Sequence, residues 1–285
     1  MSRNKDRLGL GENKPDNTGP PPQVLQQEGP GFSFVVPTDF VELPSQGRYY
    51  PEGHPLHHED SIEIKQMTAK EEDILTSRTL LRKGVALDRV LQSLIVHPQI
   101  NANNLLVGDR NAIIIAARSS AYGNMYETQV TCPSCQNTQD YAFDLNEMTV
   151  YHGTELDPSE VTSNDDGTFD ITLPRTSIVV TFRLLSGTDE KSLVQAASSR
   201  KGNAYERAVT AQLSKMVVGV NGVRSQEAVN YLVNNIPSMD SRHLRAAYKT
   251  AAPNVDLTQY FECGECDYEA DMEVPLTADF FWPGG

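Results

Sequence analysis

The sequence predicts an α+β fold, with helical domains set between antiparallel β-hairpins. Three observations carry that reading. Apolar and polar residues alternate around two short cysteine pairs, as in half-buried strands: Tyr141, Phe143 and Leu145 in one place, and Tyr268, Ala270, Met272 and Val274 in the other. Leu87, Val90, Leu91, Leu94 and Ile95 recur at helical spacing. Gly, Asn and Pro signals separate further helical stretches in the second half of the chain. With 285 residues and 39% hydrophobic content, the chain can build one large core or two ordinary ones.

Residues 1–31 contain Pro20-Pro-Pro22 between Pro15 and Pro30 and read as a disordered tail, too poor in apolar surface to offset its ordering entropy. Residues 32–150 are expected to form an N-terminal region of strands and helices. Phe32–Val36 and Ser61–Lys65 read as strands, separated by a turn-rich loop that holds His54, His57, His58, Glu59 and Asp60. Five such donors suggest a metal, but Pro51, Gly53 and Pro55 make an ordinary polar loop the simpler reading. Thr68-Ala-Lys-Glu71 is a capping box, and the helix it opens is expected to run to about Lys83, stopped by Gly84. A third helix, with Asp109 as its cap, runs from Arg110 to Ala121. Its run Ala112–Ala117 is apolar nearly all round, which predicts burial.

Residues 151–167 are polar and turn-rich and are expected to link the halves. Residues 168–285 should begin with a hairpin, Phe169 to Leu173 and Ile178 to Leu184. Helices follow near 188–199, 205–217, 225–234 and 238–250, and a second cysteine hairpin closes the chain. Both halves thus run strands, helices, cysteine hairpin. An internal duplication gives that order, and so does one ribbon split by a helical insertion.

Cys132-Pro-Ser-Cys135 and Cys263-Gly-Glu-Cys266 use every cysteine of the chain. A C-x-x-C at a hairpin tip turns two sulfurs inward, and two tips complete the tetrahedral thiolate shell that zinc prefers. The expected metal ligands are therefore Cys132, Cys135, Cys263 and Cys266, in a split zinc-ribbon-like module. A redox C-x-x-C wants a helix after the motif, and here strands follow. Structural disulfides want an oxidising compartment, and Met1–Asp6 lacks the apolar core of a signal peptide. Four thiolates leave no open position for water, which argues against a catalytic zinc.

No catalytic constellation is evident: the sequence contains no nucleotide-binding glycine loop, no Gly-x-Ser-x-Gly elbow and no His-Glu-x-x-His. His243, beside Arg242 and Arg245, reads as part of a solvated helix face. The net charge of −14 argues against nucleic acid as a partner, and no apolar run approaches a membrane span. The carboxylates of the Asp267 to Glu273 strand read as the wet side of a sheet.

Glu42-Leu-Pro-Ser-Gln-Gly-Arg-Tyr-Tyr-Pro51, Thr68-Ala-Lys-Glu-Glu-Asp-Ile-Leu75, Leu105-Leu-Val-Gly-Asp-Arg-Asn-Ala-Ile113 and Asp279-Phe-Phe-Trp-Pro283, in that order, resemble the baseplate hub proteins of T-even-type contractile-tailed bacteriophages. The resemblance implies a non-enzymatic structural or assembly role in the baseplate hub, with other baseplate and hub proteins as partners. It implies a place in the virion tail, reached through the host cytoplasm during assembly, and no small-molecule substrate. The competing expectation is a zinc-ribbon adaptor or regulator in the host cytoplasm, outside the virion. Phe280, Phe281 and Trp282 are expected to be covered, by the chain's own ribbon or by a neighbouring subunit.

Overall fold

The computed structural model describes residues 25–29, 32–153, 161–198, 208–274 and 278–281. The chain divides into two units, Met1–Thr38 and Asp39–Gly285. In the first unit, β1 (Leu25–Gly29) and β2 (Phe32–Val36) pair antiparallel. β1 falls within the stretch expected to be a tail; residues 1–24 and 30–31 of that stretch lie outside the described residues.

The second unit begins at Asp39, within β3 (Thr38–Glu42), which pairs with β4 (Ser61–Lys65). The capping box forms as expected: the Thr68 hydroxyl accepts from the Lys70 N–H, and the Glu71 carboxylate reaches back to the Thr68 N–H at 3.0 Å. The helix it starts is shorter than its pattern predicts. It splits into α1 (Ala69–Thr76) and α2 (Arg78–Arg82) because Ser77 is extended at ψ 102°. The Thr76 hydroxyl bonds back to the Glu72 carbonyl at 2.9 Å, a local competitor of the helix ladder. α3 (Ala86–Leu94) buries Val90, Leu91 and Leu94 as its spacing requires. α4 (Val107–Tyr122) begins three residues earlier than expected, and Asp109 lies inside its first turn instead of capping it.

Next come β5 (Met125–Thr131), β6 (Thr138–Asp144) and β7 (Thr149–Tyr151). The expected linker holds a strand, β8 (Val161–Ser163), while residues 154–160 lie outside the described residues. β9 (Thr168–Thr172) and β10 (Val179–Arg183) form the expected hairpin. They are followed by α5 (Gly187–Ser198), α6 (Ala208–Met216), β11 (Val217–Val220), α7 (Gln226–Asn235) and α8 (Ser238–Ala251). The expected helix over 205–217 thus ends in a strand: Val217-Val-Gly-Val220 is β-rich and pairs with β10. Residues 205–207 of that helix lie outside the described residues. β11, β10, β9 and β8 make one antiparallel sheet in that order. β12 (Asn254–Asp256), β13 (Thr258–Glu262) and β14 (Glu269–Glu273) complete the fold.

The burial pattern gives two cores, and they are not the two halves of the sequence. One core draws on residues 41–145 and again on 255–281, so the C-terminal hairpin packs with the N-terminal helices. The other is built from residues between 161 and 252, with Phe169, Val180, Phe182, Leu213, Met216 and Leu244 at its centre. β7 and β12 pair at the point where the chain leaves the first core and returns to it. This is the arrangement of a ribbon split by an insertion. It brings the knuckles together without calling on a duplication.

Gly108 sits where α4 meets the returning chain. A Cβ there would be driven into the Pro253 carbonyl and would lie 2.8 Å from Asn254 Cα. Helix propensity alone would make Gly108→Ala stabilising by about 1 kcal/mol. The clash with fixed backbone reverses that sign, so the substitution is expected to destabilise by about 1–3 kcal/mol in urea unfolding. A stabilised variant would show that the returning chain does not press on α4.

Candidate metal centre

The two cysteine hairpins are built alike. In the first, β5 and β6 pair from Met125↔Asp144 to Thr131↔Thr138, and the Cys132 N–H closes the tip on the Asn137 carbonyl at 2.8 Å. In the second, β13 and β14 pair from Thr258↔Glu273 to Glu262↔Glu269, and the Cys263 N–H closes on the Tyr268 carbonyl at 2.9 Å. The residue after the second cysteine has positive φ in each tip, 61° at Gln136 and 51° at Asp267. Such a left-handed step costs energy outside glycine and is kept where the surroundings dictate it. Here it folds each C-x-x-C back so that both sulfurs face inward.

The four sulfurs lie within 4.8 Å of one another. Cys132 Sγ is 3.8 Å from Cys266 Sγ, and Cys135 Sγ is 3.7 Å from Cys263 Sγ, so the close approaches run between hairpins. All four thiols are free; Cys132 and Cys263 are buried, while Cys135 and Cys266 are exposed. Such a group can hold one metal ion in an all-sulfur shell. Burial raises the Cys132 thiol, but the Cys135 and Ser134 N–H groups and the neighbouring thiols outweigh it and bring it down to about 7. At Cys135 the Asn137 N–H lowers the thiol, yet the bond to Cys266, burial and the bonds to Cys263 and Cys132 carry it up to about 12.

Side chains that the sequence reading passed over clamp one hairpin to the other. Gln139 Nε2 donates to the Glu262 carbonyl at 3.0 Å, and its Oε1 accepts from the Gly264 N–H at 3.1 Å. The Tyr141 hydroxyl donates to the Tyr260 carbonyl at 3.0 Å, and Gln259 Nε2 donates to the Asp144 carbonyl at 2.7 Å. Beneath them the Tyr141 ring lies 5.1 Å from Phe261, and both Phe143 and Phe261 are buried.

Arg118 ties the chain's end to this module. Fully buried on α4, it donates from Nε to the Phe280 carbonyl at 2.8 Å, from Nη1 to Gly123 at 2.6 Å and from Nη2 to Met125 at 3.1 Å. Its guanidinium also faces the Tyr122, Tyr126 and Phe280 rings at 5.4, 6.0 and 5.9 Å. Carbonyls and ring faces thus stand in for a carboxylate. Phe280 and Phe281 are buried on the protein's own first core, as one of the two expectations for the aromatic end had it; Trp282 lies outside the described residues.

The loop over residues 43–60 is held to α4 by Asp109. Its carboxylate accepts from the Ser45 N–H at 2.9 Å, the Ser45 hydroxyl at 2.7 Å and the Tyr50 hydroxyl at 2.7 Å. Burial raises the carboxyl of Asp109 and, more strongly, the phenol of Tyr50. The loop histidines serve the same fold. The His54 ring stacks on Tyr50 with centroids 4.5 Å apart, and His57 Nδ1 pairs with the Tyr50 carbonyl at 2.7 Å. Among the described residues the cysteine cluster is the one group of three or more metal donors that converges. His243 is half-buried on α8.

Two of the motifs read as phage-like, the 42–51 loop and the 105–113 segment, therefore meet physically through Asp109. Residues 37–172 match the family described as T4 bacteriophage base plate protein. Over that stretch the chain is similar to T4-type phage baseplate proteins, and the match contains three of the four motifs that carry the resemblance, those at 42–51, 68–75 and 105–113. The match takes in the loop, the capping box, α4 and the first cysteine hairpin, and covers just under half of the chain. The second hairpin and the aromatic end fall outside it. No curated protein and no solved structure matches the chain. Among the described residues no helix is long and apolar enough to cross a membrane.

Arg118→Met keeps much of the side-chain volume but leaves three carbonyls without their donor. It should cost about 3 kcal/mol of unfolding free energy, at roughly 1–3 kcal/mol for each buried group left unpaired and partly relieved by water. Chemical denaturation checks this. A loss below about 1 kcal/mol would mean that the aromatic end is held by ring packing alone.

Proposed function

We propose that this baseplate protein is a non-enzymatic structural or assembly component of the baseplate hub, held together by a structural zinc ion on Cys132, Cys135, Cys263 and Cys266. The observation that carries the zinc reading is the sulfur geometry. A tetrahedral shell with Zn–S bonds of about 2.3 Å has sulfurs about 3.8 Å apart. Two of the six separations, Cys132–Cys266 and Cys135–Cys263, are 3.8 and 3.7 Å, and all six are within 4.8 Å, so a small contraction closes the shell. The donor set agrees with this: four cysteines at two hairpin tips form a closed structural set with no open position for substrate. When bound, the ion would supply the positive charge that lets four crowded thiols ionise together. The chain supplies the two knuckles, the clamp of Gln139 and Tyr141, and the buried floor of Phe143 and Phe261.

The hub assignment rests on the family match over residues 37–172, with the resemblance of the 42–51 and 105–113 segments to hub proteins. Along the sequence the accompanying reading is a tail over 1–31, an N-terminal region over 32–150, a linker over 151–167 and a second region over 168–285, of which 255–281 packs back into the core of the N-terminal region. The partners it calls for are other baseplate and hub proteins.

Elemental analysis of the purified protein should return one zinc per chain, and Cys263→Ser should lose it. That variant should also loosen the C-terminal hairpin more than the helices of the 161–252 core, as hydrogen exchange would record. Absence of zinc from protein purified without chelator sinks the metal reading. Sedimentation of infected-cell lysate with blotting for the protein tests the assembly reading independently. Recovery with tails or with hub precursors is expected, whereas recovery only as free protein would favour a cytoplasmic zinc-ribbon adaptor.

A further inference from the structure

Charge is distributed over this protein in blocks. The sequence has no Lys or Arg between Arg118 and Arg175 and none after Lys249, so both cysteine hairpins are free of fixed cations. The second hairpin carries Glu262, Glu265, Asp267, Glu269, Asp271 and Glu273 within twelve residues. Glu269, Asp271 and Glu273 are exposed on β14, while Ala270 and Met272 between them are half-buried.

The register also decides where the backbone of β14 points. The Cys263 N–H bonds Tyr268 and the Val274 N–H bonds Leu257, so residues 269, 271 and 273 occupy the positions whose N–H and C=O face away from β13. The corresponding outward carbonyls of β13, at Tyr260 and Glu262, are taken by Tyr141 and Gln139. Among the described residues no strand pairs with the outer edge of β14. β14 therefore offers an open edge together with a row of carboxylates spaced by about 6.7 Å along the strand.

The opposite charge sits in a groove of about 500 Å³ between the α2–α3 turn and the first turns of α5. Its walls carry Arg82, Lys83, Arg110 and Lys191 against Asp88 and Glu190. Arg110 and Lys191 converge on Asp88 at 2.9 and 2.6 Å, and Arg110 Nε is buried without a partner. Arg82 and Lys83, which line it, are exposed, and Arg78 on α2 and Arg89 on α3 are exposed as well. In a chain of net charge −14 this is a local excess of cations over a concave surface.

We propose that this cationic groove is a docking site for the acidic edge of β14 on a second copy of the chain, so that copies join head to tail. The two surfaces are different parts of the molecule, which makes the contact heterologous and able to extend into a ring or a row. The charge complementarity is local. With screening over about 8 Å at physiological salt, facing carboxylates and guanidinium groups attract while the net charges of the two copies are largely hidden from one another. The inference is independent of the hub assignment and of the identity of the metal. An acidic edge can also act only as protection against strand pairing, in which case no second copy binds.

Sedimentation velocity of the full chain between about 1 and 100 µM, the range of weak contacts, at moderate salt tests the proposal. The wild type should associate as concentration rises, and less so at high salt. Arg82→Glu with Lys83→Glu reverses the groove rim, and Glu269→Lys with Asp271→Lys reverses the edge; both pairs lie on exposed positions, and circular dichroism should show both proteins folded. Each double variant alone should associate at least about tenfold more weakly, and an equimolar mixture of the two should associate again, because the reversed edge of one then faces the reversed groove of the other. A wild type that stays monomeric throughout overturns the proposal, as does a mixture no better than its components.

Discussion

The constraint on which the rest of this structure depends is the meeting of four sulfur atoms from hairpins whose cysteines lie 134 and 128 residues apart in sequence. Each hairpin is a two-stranded sheet, and a lone two-stranded sheet is marginal in water. Set tip to tip and clamped by Gln139, Tyr141 and Gln259, they share one buried floor and close the first core from its C-terminal side. In a chain-entropy picture, a link closing a loop of such length removes on the order of 4–5 kcal/mol from the unfolded ensemble, which is comparable to much of a domain's stability. A metal on the four thiols would act as that link.

The insertion between 161 and 252 follows from the same arrangement. It carries its own core, built on a four-stranded sheet under α6, α7 and α8, and needs the ribbon only at its neck. There β7 pairs with β12, the Tyr151 hydroxyl reaches the Thr250 carbonyl, and the approach of Pro253 to α4 leaves room only for Gly108. A second seam joins the cores through the Val107 N–H on the Leu185 carbonyl and the Gly187 N–H on the Leu105 carbonyl. Both seams lie on or next to α4, and the Tyr49 ring, 5.4 Å from Phe169, adds a contact from the 43–60 loop.

Much of this was legible in the residues. The alternation around each cysteine pair located both hairpins, the all-apolar run Ala112–Ala117 marked α4 as the central buried helix, and the capping box placed the start of α1. What was not legible has identifiable causes. Asp109 looked like a helix cap because aspartate before an apolar run usually is one, but its partners Ser45 and Tyr50 lie some 60 residues away. β11 (Val217–Val220) carries no strand signal of its own, and its first residue reads as the end of the preceding helix, because four residues give too little pattern to reveal a change of period. The clamp of Gln139 on Glu262 left no sequence signal, since a single glutamine on a strand reads as solvent-facing. Arg118 left one that could have been used: an arginine beside an all-apolar helical run must find acceptors inside the fold.

The central claim is that both hairpins ligate one metal ion through sulfur alone. X-ray absorption at the zinc edge of the full chain reads that shell directly. One scattering shell of four sulfurs at about 2.3 Å, with no nitrogen or oxygen neighbour, is the result the proposed zinc site predicts. A shell of two sulfurs completed by lighter atoms would contradict the account, because each knuckle would then hold its metal alone and the split ribbon would be closed only by its hydrogen bonds and buried rings.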